Sequence, residues 1–296
     1  MGMIYLKNKG IVKKMLYGNG DKDFNDSLLP KTRKEQFKYI LKNNWQKLFY
    51  LNMIMFLFFV PALFYFLLNS INYNNIVSNM TDAEIYAKLF SLNLVPYLIL
   101  TGLLMIGFIG LSGGSYILRK MAFDEVVELK NDFKKGIKYS SKQFMFVGFL
   151  FGMTLFAFNY SVQYVGLSKI DPFIQFLLFF IIVLVFISLL ISFMYMLNLS
   201  NLYIMKITTI IKCGLILTFR ELFKNLGVLL LAFIPVFGWL ILSGITTKVV
   251  MILILFVFGF SYVLLLFTLI SMYAFDKYIN PTQYPDYVRR GLCPNE

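Results

Sequence analysis

Six stretches of this 296-residue chain carry no charged side chain: 48–81, 89–118, 143–168, 172–205, 225–247 and 249–275. The shortest of them has 23 residues, and about 20 apolar residues in a helix cross the hydrocarbon core of a bilayer. Lipid offers backbone N–H and C=O groups no partner, so a spanning segment must satisfy them internally. Runs of this length far exceed a barrel strand, which leaves helices. The expected fold is therefore all-α: a polytopic membrane protein with six transmembrane helices. The chain is 15 % charged, against about 25 % for a soluble domain, and little of it remains for a separate globular unit. It divides into a cytoplasmic or interfacial amphipathic lead-in (1–47), a six-helix membrane domain (48–275) and a cytoplasmic tail (276–296).

The formal net charge of +13 falls on one side of that plan. Segments 1–47, 119–143, 206–224 and 274–296 hold 25 of the 28 Lys and Arg residues. The alternate loops hold Lys88, Lys169 and Lys248, balanced by Asp82, Glu84 and Asp171. The positive-inside rule sorts bases in this way and predicts both termini in the cytoplasm. The first apolar run opens at Leu48, far from the position of a cleavable leader's apolar core, and is expected to act as an uncleaved anchor.

Along the chain, Phe37, Ile40, Leu41 and Trp45 fall on one face of the lead-in, beside Lys34, Lys38 and Lys42. Segment 70–91 reads as a long Asn-rich outer loop, in which Thr81 and Glu84 begin a short capped helix. The fourth run starts at Pro172 and is longer than a crossing needs. Residues 207–219 are apolar apart from Lys212 and read as an interfacial or partly buried helix, with a re-entrant segment as the alternative. Ahead of spans 1, 3 and 5 the same short pattern recurs: Phe37-Lys38 with Lys42-Asn43, Ile137-Lys138 with Lys142-Gln143, and Phe219-Arg220 with Lys224-Asn225. The i, i+4 spacing places each pair of bases on one helical face, facing anionic lipid headgroups. Read as a repeat, the pattern divides the protein into three helical hairpins. Flanking bases that any inward-starting span requires explain it equally.

Gly107, Gly110 and Gly114 in span 2, and Gly148 and Gly152 in span 3, mark faces where helix backbones approach closely. Asn52, Asn159, Gln163, Ser188, Ser192 and Asn198 are neutral polar residues within spans, suited to interhelical hydrogen bonds. No acidic or basic residue lies at mid-span, which argues against a proton path or a charged filter. Pro61 and Pro235 lie within spans 1 and 5 and can kink them. Asp124, Glu128 and Asp132 share a face if 119–143 is one helix, and Lys120, Lys130 and Lys134 can interleave with them as ion pairs. With no histidine, the usual general base is missing. No catalysis, no cofactor, no metal site and no nucleic-acid partner are expected.

Three stretches resemble the YesL-like family of bacterial integral membrane proteins: LNMIMFLFFVP at 51–61, GLSGGSYILRKM at 110–121 followed by DFKKGIKYSSKQ at 132–143, and FDKYINPTQYPDYVRRGL at 275–292. The resemblance implies a six-span protein of the bacterial plasma membrane, without enzymatic activity. It also implies a genome context of carbohydrate use and sugar uptake. The expected function is an accessory or scaffold component of a transport or sensing system. Its partners would be the anionic bilayer and another membrane complex, met through 119–143 and 206–224. The competing expectation is a small-solute transporter or channel with a site between the proline-containing spans 1 and 5.

Overall fold

A computed structural model describes residues 29–234 and 245–293. Its helices are α1 (Arg33–Val77), α2 (Asp82–Ala122), α3 (Leu129–Leu167), α4 (Pro172–Leu202), α5 (Ile207–Arg220), α6 (Leu222–Ala232), α7 (Ile245–Tyr278) and the short α8 (Asn280–Gln283), followed by a 3-10 turn at Pro285–Tyr287. Among the described residues there is no strand. Five helices are long and apolar enough to cross a membrane: α1, α2, α3, α4 and the Phe256–Tyr278 portion of α7. The protein is an all-α polytopic membrane protein.

Local chemistry sets the helix starts. The Thr32 hydroxyl accepts from the Glu35 N–H and opens α1. Thr81 and Glu84 form a reciprocal capping box at α2, satisfying two of the N–H groups that a helix start leaves unpaired. Asp171 accepts from the Phe173 and Ile174 N–H groups, with Pro172 in the first turn of α4, where its missing N–H costs nothing. Arg119 and Lys120 occupy the last turn of α2, where cations suit the helix dipole.

The helices overrun the loops expected of them. Segment 70–91 is helical except at 78–81, so Thr81 opens the long α2 instead of a short loop helix. The basic lead-ins of spans 1 and 3 are continuous with α1 and α3. Pro61 lies inside α1, yet the non-helical backbone recorded there is at Asn44 (φ −124°, ψ 17°). The 119–143 segment is not one helix: residues 123–128 form a non-helical turn, so Asp124, Glu128 and Asp132 share no helical face.

Direction follows from paired contacts. Met55, Phe58 and Phe59 of α1 face Gly114, Gly110 and Gly107 of α2 in reverse order, and Thr101 and Phe108 of α2 face Gly152 and Gly148 of α3 likewise. Phe151–Phe193 and Phe158–Phe186 align α3 against α4. Arg33–Asp276 and Phe56–Phe256 set α7 antiparallel to α1. By contrast α4 and α7 run parallel, since Asn198 meets Thr268 and Ser271 while Tyr203 meets Asn280. Two parallel helices need a return crossing between them. Helix α6 is the described part of that return: Lys224 meets Tyr273 and Leu231 meets Tyr262, which places it antiparallel to α7. Pro235 and most of the rest of the fifth apolar run lie outside the described residues.

Candidate functional site: the polar end of the bundle

The two described ends of the chain meet. The Cys293 N–H donates to the Pro30 carbonyl at 3.0 Å, and the Arg289 guanidinium donates to the Lys31 and Cys293 carbonyls. Around this junction Arg33 pairs with Asp276 at 2.8 Å. The Asp276 carboxylate also accepts from the Arg289 N–H and the Asn280 amide. The Gln36 amide, on a residue only 2 % exposed, donates to both the Ala122 and Gly291 carbonyls. It thereby ties α1, the end of α2 and the tail together. Arg290 pairs with Glu125 and lies over the Phe123 ring at 4.7 Å. Asp124, Arg289 and Gly291 all have positive φ here, and a Cβ at Gly291 would collide with the Ala122 carbonyl. The segment read as a loose tail is thus folded onto the bundle as a clasp. Tyr203 of α4 secures it by donating to Asn280 and packing against Tyr284 and Tyr287.

Two buried carboxylates organise the rest of this end. Asp132 accepts from Lys120 Nζ and from the Glu128 N–H, both at 2.8 Å, with Lys135 at 3.7 Å. Burial raises its pKa, but these donors outweigh that and leave it below the usual aspartate range. Glu221, at the break between α5 and α6, takes Lys277 and the Tyr278 hydroxyl at 2.8 Å and Lys224 at 3.3 Å. Burial again works against a low pKa, and again the three donors prevail. Lys130 and Lys134, expected to interleave with the acids, are exposed; Lys120, Lys135 and Arg290 are the bases that pair there.

The lead-in bases separate. Lys38, Lys42, Lys138 and Lys142 are exposed on continuous helices. Arg220 and Lys224 are exposed too, but the chain breaks between them at Glu221 (φ −118°, ψ 34°). The third copy of the pattern therefore does not set its bases on one helical face, and Lys224 is drawn to Glu221 and the Tyr273 hydroxyl. Residues 207–219 form α5, whose buried face of Ile210, Gly214 and Leu217 packs on α4 through Met196 and Ser192.

Of the glycines crowding span 2 and pairing in span 3, all but Gly102, which has open space around it, face another helix. A Cβ would come within 2.7 Å of the Phe59 ring at Gly107, 2.6 Å of Phe58 at Gly110, 2.8 Å of Phe108 at Gly148 and 2.5 Å of Thr101 at Gly152, and would collide with Met55 at Gly114. Gly113 meets Phe133 in the same way, as does Gly136, ahead of span 3, with Tyr116.

The span amides bridge helices. Asn52, fully buried, donates to the Phe256 carbonyl at 2.6 Å and accepts from the Ser261 N–H at 3.1 Å, pinning α1 to α7. Asn198 joins α4 to α7 through Ser271 and Thr268. Asn159 and Gln163 meet Asn93, and Gln163 also accepts from Tyr73. Ser188 instead donates to its own helix at Leu184, and the buried Ser192 hydroxyl has no partner among the described residues. Asn93, Asn201 and Asn225, not read from the sequence as helix-bridging amides, do the same. Asn201 donates to the Ser115 carbonyl, and Asn225 accepts from Tyr195.

Near the opposite end, an apolar cleft of about 320 Å³ opens between α1, α2 and α3, lined by Phe59, Leu63, Phe66, Tyr97, Phe158 and Asn159 among others. It flanks Pro61, and its lining comes from α1, α2 and α3; a site shared with Pro235 of span 5 lies outside the described residues. No protein-family model matches the chain, and no curated protein or solved structure matches it either.

Proposed function

We propose that the protein is a non-catalytic accessory or scaffold component of a transport or sensing system in the bacterial plasma membrane. Both termini lie in the cytoplasm in this reading, and the polar end of the bundle faces the partner. The observation that carries it is the use of the acids there. Asp132, Glu221, Asp276 and Glu125 each hold a base and tie separate elements together. Held in these pairs, the four are not free to serve as a general acid or base; Asp124 and Glu128 lie exposed in the turn between α2 and α3. The exposed rim left over is basic, with Lys130, Lys134, Lys138 and Lys142 on one helix. A rigid basic platform suits an anionic partner surface. The YesL-like resemblance adds sugar uptake as context and rests on the sequence stretches alone.

The cleft beside Pro61 favours one competing reading, a carrier of a small apolar solute. The two readings separate in one experiment. In mild detergent, the scaffold is expected to co-purify with a transport or sensing complex in fixed stoichiometry, and Lys130→Glu with Lys134→Glu is expected to release it. Solute uptake by proteoliposomes holding this protein alone would refute the scaffold reading.

A further inference from the structure

We infer that the corner formed by the polar ends of α2, α3 and α4 is a binding site for the phosphate of an anionic phospholipid, with Arg119 as its centre. Arg119 directly follows the uncharged run 89–118, which places it at headgroup depth. Its Nη1 donates to the Asn201 carbonyl at 2.6 Å. Its guanidinium lies 4.4 Å from the Tyr116 ring centre and 5.9 Å from that of Tyr139. Among the described residues no carboxylate pairs with it, because the nearby Asp132 is taken by Lys120 and Lys135. Its Nε is buried and without a partner there, so Nη2 is the edge left to a ligand.

Two further bases border this corner. The Gln143 amide donates to the Met205 carbonyl, and Lys142 and Lys206 are the residues next to these two in sequence. Both are exposed, and neither pairs with a carboxylate among the described residues. Lys142 lies one turn beyond Tyr139, on the same side of α3. An arginine held flat against tyrosine and fixed by a carbonyl presents its remaining N–H edge to phosphate oxygens, a planar match that lysine lacks. Basic pockets between transmembrane helices bind anionic headgroups by this chemistry. Lys38 and Lys42, paired on one face of α1, have no arginine held in this way beside them.

The test is lipid titration of the purified full chain in neutral detergent, read by native mass spectrometry and thermal shift. Wild type is expected to retain phosphatidylglycerol in preference to phosphatidylcholine. Arg119→Gln should weaken that binding about fivefold or more. Because Arg119 also holds Asn201, the double variant Lys142→Gln with Lys206→Gln supplies a second arm on exposed residues. It should weaken binding further, while Lys38→Gln with Lys42→Gln should leave it unchanged. Equal retention of the two lipids by wild type would overturn the site, as would a double variant that binds like wild type. So would an equal loss in the α1 variant, which would signify bulk charge. Stabilisation by sodium phosphate equal to that by phosphatidylglycerol would overturn the lipid and leave a soluble anion as the ligand.

Discussion

Single side chains fasten this bundle at depths where water cannot stand in for them. Asn52 makes both of its hydrogen bonds to α7 backbone, so truncation removes two ties between α1 and α7. Asn52→Ala should cost about 1–2 kcal/mol, measured by denaturation in mixed micelles; unchanged stability would mean that the two ties add nothing to the α1–α7 contact. Glu221 adds a pH dependence. Its folded-state pKa lies below the unfolded value of about 4.3. Its contribution is therefore complete above that value and is lost as pH falls through the folded value. The melting temperature should drop in that acid window, and Glu221→Gln should flatten the drop. An equal acid slope in the variant would assign it to other carboxylates such as Asp132.

Glycines set the close approaches of α2 to α1 and α3. Gly152 faces Thr101 across the α2–α3 contact, whereas Gly102 has open space around it. Gly152→Leu should destabilise the fold by about 1–3 kcal/mol through overpacking, while Gly102→Ala should not weaken it, since alanine favours helix over glycine. Equal tolerance at both positions would show that the α2–α3 contact yields freely. Much at this scale was legible in the residues. Thr81, Glu84 and Pro172 mark helix starts that the structure places there, and the gap between 205 and 225 isolates α5. The continuity of α1 through its Asn-rich end was not legible: Asn72, Asn74 and Asn75 have low helix propensity and are exposed, and the tie at that end is the Tyr73 hydroxyl donating to Gln163 of α3. The break at Glu221 was hidden as well. It answers to Lys277 and Tyr278, more than fifty residues away.

At the scale of the whole molecule, the charge-free runs specified the class, since a bilayer leaves few alternatives; five helices among the described residues are long and apolar enough to cross, and 235–244 of the fifth run lie outside those residues. The clasp was invisible to that reasoning. Arg33 and Asp276 are 243 positions apart, and nothing local marks the tail as folded. The parallel course of α4 and α7 calls for a return through α6, so the chain should cross an even number of times, with its described ends on one face. Reporter fusions after Asn79, Phe133, Ser168 and Leu292 measure this. Phe133 and Leu292 are expected to report the cytoplasm, with Asn79 and Ser168 on the outside. A Leu292 fusion reporting the face opposite to Phe133 would contradict the account.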